Sequence, residues 1–87
     1  MNLEFKKSFA KDLKRKEKGL LKNVKQIIQE VDEADSIYGI KNISKLKAEG
    51  SYYRIRLGDY RLGLIIENDK ACFVRFLHRS EIYRYFP

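Results

Sequence analysis

The second half of the chain holds three short segments, "YYRIRL", "YRLGLII" and "ACFVRFL", separated by "GD" and "ENDK". Apolar and polar residues alternate in them, β-branched and aromatic side chains are frequent, and turn residues bound them, so each reads as a strand. Gly58-Asp59 is a good two-residue hairpin loop. Strands joined this tightly fold as an antiparallel meander, and a meander with one apolar face needs another element to cover it.

The cover lies upstream. "NLEFK" alternates, with Leu3 and Phe5 on one side, and reads as a first strand. Ser8 is placed to cap a helix carrying Phe9, Ala10 and Leu13 inward. "KRKEKG" is polar, and Gly19 is the expected break before a second helix. Leu20, Leu21, Val24, Ile27, Ile28 and Val31 then fall on one helical stripe. Glu30, Asp32, Glu33 and Asp35 crowd its end, where negative charge opposes the helix dipole, so fraying is predicted there. "IKNISKLKAEGS" reads as a connector that brings Ile43 and Leu46 onto the core. In the closing "RSEIYRYFP", Ser80 caps a last helical turn and Pro87 ends it.

The predicted fold is α+β: strand–helix–helix, then an antiparallel three-strand meander and a short C-terminal helix. Two helices pack on one sheet face and leave the other partly open. The 87 residues suit one domain, 1–87, with a thin core.

With Gly58 and Asp59 as the loop, Arg56 faces Arg61, Arg54 faces Gly63, and Tyr53 faces Leu64. Tyr53, Ile55, Leu57, Leu62, Leu64 and Ile66 then share the covered face, and Arg54, Arg56 and Arg61 share the open one. Like charges directly opposite in a sheet are destabilising. An anion would offset that cost, with Gly63 leaving space beside it; arginines splayed into water would also relieve it.

The last strand admits two registers. A two-residue "ND" loop puts Phe73, Arg75 and Leu77 on the core face, and a three-residue loop puts Cys72, Val74 and Phe76 there. Burying Arg75 without a partner is expensive, which favours the longer loop. Arg75 then faces Gly63 and joins the arginine face, Leu77 faces Arg61, and Arg79 lies just beyond. His78, the one histidine, is open between a packing role and a chemical one. Tyr83 follows one short turn later, and packing by Tyr85 and Phe86 would leave it free.

Nineteen Lys and Arg oppose 12 Asp and Glu, a net charge of +7. Such a surface attracts polyanions or an acidic protein; lysines on solvated helix faces account for part of it equally well. The single cysteine, Cys72, supports no disulfide framework and reads as an apolar filler in a strand. The N-terminal stretch lacks an apolar core of signal-peptide length, and no apolar run is long enough to span a membrane, so a cytoplasmic location is expected. No metal-ligand spacing includes His78, and no cofactor is expected. Arginines and a phenol on one open face suit phosphodiester chemistry: guanidinium groups grip phosphate in a fork and stay charged. Tyr83 could act as a base or as a stacking platform.

Three stretches, "FKKSFAKDLKR", "LKAEGSYYRIRLGDYRLGLII" and "FLHRSEIYRYF", resemble in order and spacing the RelE/ParE superfamily of bacterial and archaeal toxins from toxin–antitoxin pairs. The resemblance covers nearly the whole chain and implies the fold just described. Its RelE branch implies a ribosome-dependent, metal-independent endoribonuclease that cuts translated messenger RNA by attack of the ribose 2′-OH. The matching catalytic positions are Arg54 and Arg56, where lysines are more usual, Arg61, Tyr83 and, as acid or base, His78. A further basic position of the family aligns with Leu77, a departure that Arg75 or Arg79 would make good. Arg75, Arg79, Lys45 and Lys47 are the expected RNA-binding residues. The ParE branch implies instead a protein-binding inhibitor of DNA gyrase, and a third reading is an RNA- or ribosome-binding module without chemistry. The resemblance also implies a cognate antitoxin that wraps the domain, covers the basic face or displaces the tail helix. Ribosome and mRNA are the other implied partners, without a membrane and without sequence-specific DNA binding by this chain alone. Lys6, Lys7, Lys11, Lys14, Arg15, Lys16, Lys18, Lys22 and Lys25 would serve docking on phosphates.

Overall fold

The meander exists as the alternation requires. In the computed structural model, which describes residues 1–46 and 50–87, β3 (Tyr52–Leu57), β4 (Tyr60–Glu67) and β5 (Lys70–His78) run antiparallel. β1 (Asn2–Phe5) adds to β5 in parallel. A strand absent from the sequence reading, β2 (Ile43–Lys45), adds to β3, giving a five-stranded sheet in the order β1-β5-β4-β3-β2. The predicted connector therefore contains a sheet edge, reached through a 3₁₀ turn at Ile37–Gly39 and a left-handed Asn42 (φ 60°). Ile43 does pack against the core, as expected.

Two helices cover one face. α1 (Lys7–Leu13) buries Phe9, and α2 (Lys18–Glu33) buries Val24 and Val31. They meet Ile55, Leu62, Leu64, Ile66, Ala71, Phe73 and Phe76 of the sheet in one apolar cluster. Three local expectations are corrected. Ser8 is not the cap of α1; that place falls to Lys6, and Ser8 Oγ donates instead to the carbonyl of Val74 at 2.6 Å. Ala10 faces solvent, because a seven-residue helix turns only Phe9 fully inward. The break between the helices falls before Gly19, at a left-handed Arg15 (φ 64°), and Gly19 lies in the first turn of α2. α2 also runs through Asp32 and Glu33, where the Met1 nitrogen donates to the carbonyls of Asp32 and Ala34 at 3.0 Å each. Those bonds satisfy carbonyls that the last turn leaves without partners.

The register of β5 follows neither alternative alone. The loop is the two-residue Asn68-Asp69, with Glu67 opposite Lys70, yet Gly63 faces Arg75 and Arg61 faces Leu77. A β-bulge between Gly63 and Leu64 absorbs one extra residue of β5, Val74, so that Leu64 pairs with Phe73 and Leu62 with Phe76. Before the bulge Ala71 and Phe73 face the core; after it Phe76 does and Arg75 does not. The expected burial of Val74 with Phe76 is corrected accordingly, and Cys72, though buried, pairs with Ile65 on the opposite face. The bulge avoids burying Arg75 without lengthening the loop.

β1 stops at Phe5, so β5 loses its outer partner beyond Phe73. α1 closes that edge with two side chains one turn apart. Ser8 serves the Val74 carbonyl, while Asp12 accepts from the Phe76 N–H at 2.9 Å and from Arg75 Nε at 2.7 Å and Nη2 at 3.1 Å. An edge satisfied this way offers no template for another strand.

The second face is not left open at its centre. The tail helix α3 (Ile82–Tyr85) buries Ile82 completely, and Phe86 is 2% exposed. Phe86 lies on Gly63 so closely that a Cβ there would stand 2.7 Å from the ring. The space expected beside Gly63 for an anion is thus filled by an aromatic ring. Packing of the tail is shared by Ile82 and Phe86 and not by Tyr85, which is half-exposed; Ser80 precedes the helix, whose cap position is Glu81.

Candidate anion-binding cleft at the β3–β4 hairpin

Beside the Phe86 plug, Arg54, Arg61, His78, Arg79, Ser80 and Tyr83 line an open cleft of about 390 Å³. The sheet supplies its floor, the β5–α3 turn one wall, and α3 the other.

Arg61 is tethered by its own hairpin. Its Nη1 donates to the carbonyls of Gly58 (2.7 Å) and Tyr60 (2.8 Å). Both Nη1 protons are therefore engaged, and the Nε–Nη2 edge, the side of the guanidinium that matches two phosphate oxygens, has no partner among the described side chains. Partial burial holds the Arg61 pKa below the usual arginine value, with Arg54, Arg56 and Arg79 adding to the effect and Asp59 opposing it. A charge crowded in this way gains from an arriving anion.

Arg54 is fixed from the neighbouring strand: its Nε donates to Ser44 Oγ at 3.0 Å, and its guanidinium carbon sits 5.2 Å from the centre of the Tyr83 ring. The pair keeps Tyr83 over the cleft although that ring is 62% exposed. Arg79 is held at the rim, its backbone N–H on the Asp59 carbonyl at 2.7 Å and its Nε 3.6 Å from Asp59 Oδ1. His78 closes the strand end, edge-on to Tyr60 with ring centres 5.6 Å apart, and its Nδ1 meets Ser80.

The other residues singled out from sequence lie elsewhere. Arg56 stands opposite Arg61 but lines a neighbouring cleft with Gln26, Glu30 and Lys41. Arg75 is committed to Asp12, whose hydrogen bond raises the arginine pKa, and its other face meets the Tyr85 ring at 5.8 Å. It therefore does not extend the cleft, and the expected patch of Arg54, Arg56, Arg61 and Arg75 contracts to Arg54 and Arg61, joined by Arg79. Lys45 pairs with Tyr53 on the edge strand, next to the Ser44 that holds Arg54 but on the other face of the sheet; Lys47 lies outside the described residues. Leu77 stands opposite Arg61, so the departure from a basic residue falls next to the cleft. Ser44 and Ser80 were missed. Ser44 carried no signal while its strand was unrecognised, whereas Ser80, two residues after the only histidine, could have been read as a turn hydroxyl returning to the ring. Among the described residues, no group of three His, Cys, Asp or Glu could hold a metal ion.

Two helices on one face of a mixed five-stranded sheet, with a short tail helix beside a basic cleft on the other, define a small toxin fold. Residues 3–83 match the family model of the ParE toxin of type II toxin-antitoxin systems, parDE, and the chain belongs to that family. Within the superfamily it is RelE-like. It is 43% identical, over the full length of both chains, to Toxin RelE3 of Methanocaldococcus jannaschii. The toxin fold recurs in the crystal structure of the RelB-RelE antitoxin-toxin complex from Methanococcus jannaschii, at a TM-score of 0.79 and 42% identity, covering 97% of this chain and 99% of that one. The intact E. coli RelBE toxin-antitoxin complex shares the fold alone, at a TM-score of 0.70 and 21% identity over 88% of this chain and 94% of that one.

Proposed function

We propose that residues 1–87 act as one toxin domain, a ribosome-dependent endoribonuclease that cleaves translated mRNA without a metal ion. The observation that carries this reading is the Nε–Nη2 edge of Arg61, without a partner among the described side chains, on a guanidinium tethered beside Arg54, Arg79, His78 and Tyr83. Arg61 binds the non-bridging oxygens of the scissile phosphate, and Arg54 and Arg79 add charge as the pentavalent state forms. Preorganised donors of this kind contribute about 3–4 kcal/mol each in well-studied enzymes. The ribose 2′-OH attacks its own phosphate, loses its proton and displaces the 5′-oxygen, which gains one. His78 and Tyr83 are the two cleft groups able to exchange protons with those oxygens. Arg56 supports the site through charge at its rim. The messenger is presented by the ribosome, and a cognate antitoxin of acidic character restrains the toxin. Complexes of that kind are described for the RelB-RelE and RelBE relatives. A cytoplasmic location follows from those partners.

Inhibition of DNA gyrase is the second reading, favoured by the name of the matching family. Induced expression followed by mapping of transcript 5′ ends separates the two. Cuts confined to translated messages, lowered about a hundred- to a thousandfold by Arg61→Ala, support the nuclease. Intact messages with accumulating DNA breaks point to gyrase. Full toxicity of both Arg61→Ala and Tyr83→Phe would overturn the assigned cleft.

A further inference from the structure

His78 ends β5 opposite Tyr60, with its ring edge against that tyrosine, and it is one of the residues lining the cleft that holds Arg61. Nδ1 is 3.2 Å from the Ser80 nitrogen, whose N–H donates to it, and 2.8 Å from Ser80 Oγ. A backbone N–H can only donate. Nδ1 is therefore the acceptor, and the neutral ring carries its proton on Nε2. The hydroxyl is less restricted: it donates to a bare Nδ1 and accepts from a protonated one. One residue thus supplies a contact that selects the resting tautomer and a contact that survives protonation.

The geometry points to Ser80 as a positioning residue that fixes the tautomer and orientation of His78 and reserves Nε2 for the substrate. Its part in cleavage rests on the nuclease reading. In the imidazolium, Nδ1–H donates to Ser80 Oγ. As the 2′-oxygen bonds to phosphorus and the phosphorus–5′-oxygen bond breaks, the Nε2 proton passes to the departing oxygen. The ring is left neutral with its remaining proton on Nδ1, still held by Oγ, and returns to the resting tautomer by exchange with water. This places His78 on the leaving-group side, while the 2′-OH, on the side of Tyr83, gives its proton to solvent water.

The chain has a single histidine, so long-range proton–nitrogen NMR of the full-length protein reads the tautomer without assignment ambiguity. At a pH where the ring is neutral, Nδ1 should resonate as a bare nitrogen and Nε2 as a protonated one. Ser80 is exposed, so Ser80→Ala tests the contact and not the fold. That variant keeps the backbone N–H but loses the hydroxyl that holds the imidazolium, so both signals should stay in place while cleavage on ribosomes falls about ten- to a hundredfold, the scale of small misplacements at reacting groups. Ser80→Thr should keep both properties. A proton found on Nδ1 in the parent protein overturns the proposal, as does a Ser80→Ala variant with parental cleavage. The resting tautomer found in a parent protein that does not cleave RNA sinks the nuclease reading and leaves the tether standing.

Discussion

A guanidinium group has five donors, and where each one goes decides what the arginine can do. Arg61 spends two on carbonyls of its own turn, Arg54 spends Nε on Ser44, and Arg75 spends two on Asp12. The first two keep an edge without a partner among the described residues, while the third has been converted into structure. Asp59 sits between these outcomes. It stands 3.6 Å from Arg79 with both side chains largely exposed, and it is the acidic group that opposes the lowered pKa of Arg61. An exposed pair of this kind contributes little to stability, but its carboxylate competes with an incoming phosphate for the same cations. Asp59→Asn should leave the melting temperature within about 2 °C, as expected for a change of a few tenths of a kcal/mol, and raise affinity for a 2′-deoxy oligonucleotide about two- to fivefold. Unchanged affinity in an equilibrium titration would show that Asp59 does not gate the cleft.

At the scale of elements, the tail and α1 do unequal work for their lengths. α3 has four residues, yet Ile82 and Phe86 anchor it to the sheet, and Gly63 is the seat of that anchor. In Gly63→Ala the new methyl would meet Phe86 at 2.7 Å, so the ring must lift. The expected cost is about 1–3 kcal/mol, with loss of the Arg54–Tyr83 contact. Urea denaturation of Gly63→Ala, Phe86→Ala and the double variant tests this. The double variant should be no less stable than Phe86→Ala alone, and fully additive losses would show that the two do not touch. Asp12 of α1 is the corresponding test at the β5 edge. Its removal leaves both Arg75 and the Phe76 N–H without a partner, so Asp12→Ala should cost about 3 kcal/mol or more. A loss under about 1 kcal/mol would mean that water replaces the carboxylate. These two devices also mark the limit of what was legible. Alternation along β3 and β4 led to the observed register, Arg54 opposite Gly63 and Arg56 opposite Arg61, because a two-residue loop leaves no freedom in it. β2 was hidden because three residues are too few to display a period. The bulge was hidden because it takes effect only through α1: Asp12 and Ser8 sit more than 60 residues away in sequence from the groups they satisfy. Phe86 on Gly63 was equally unreadable, since nothing local to either residue signals the other.

The whole molecule measures 32 × 27 × 22 Å and carries a net charge of +7. Electrostatic screening falls off over about 8 Å at physiological ionic strength. The lysines of the two covering helices lie on the far side of the sheet from the cleft, so salt screens them from a ligand bound beside Arg61. The charge is therefore divided into two surfaces, a cleft that grips one stretch of backbone and a helical face free to meet a larger polyanion. Salt dependence measures the division. Each phosphate neutralised on a single strand contributes about −0.7 to the slope of log affinity against log salt. A short 2′-deoxy oligonucleotide held by Arg54, Arg61 and Arg79 should give a slope of about −2, and Arg61→Ala should reduce it by about 0.7. Replacing Lys22 and Lys25 by glutamine should leave that slope alone while flattening the steeper salt dependence of binding to whole ribosomes. If the lysine variant instead lowered the oligonucleotide slope as much as Arg61→Ala does, the strand would have to run over the helices. The cleft would then be only part of a continuous track.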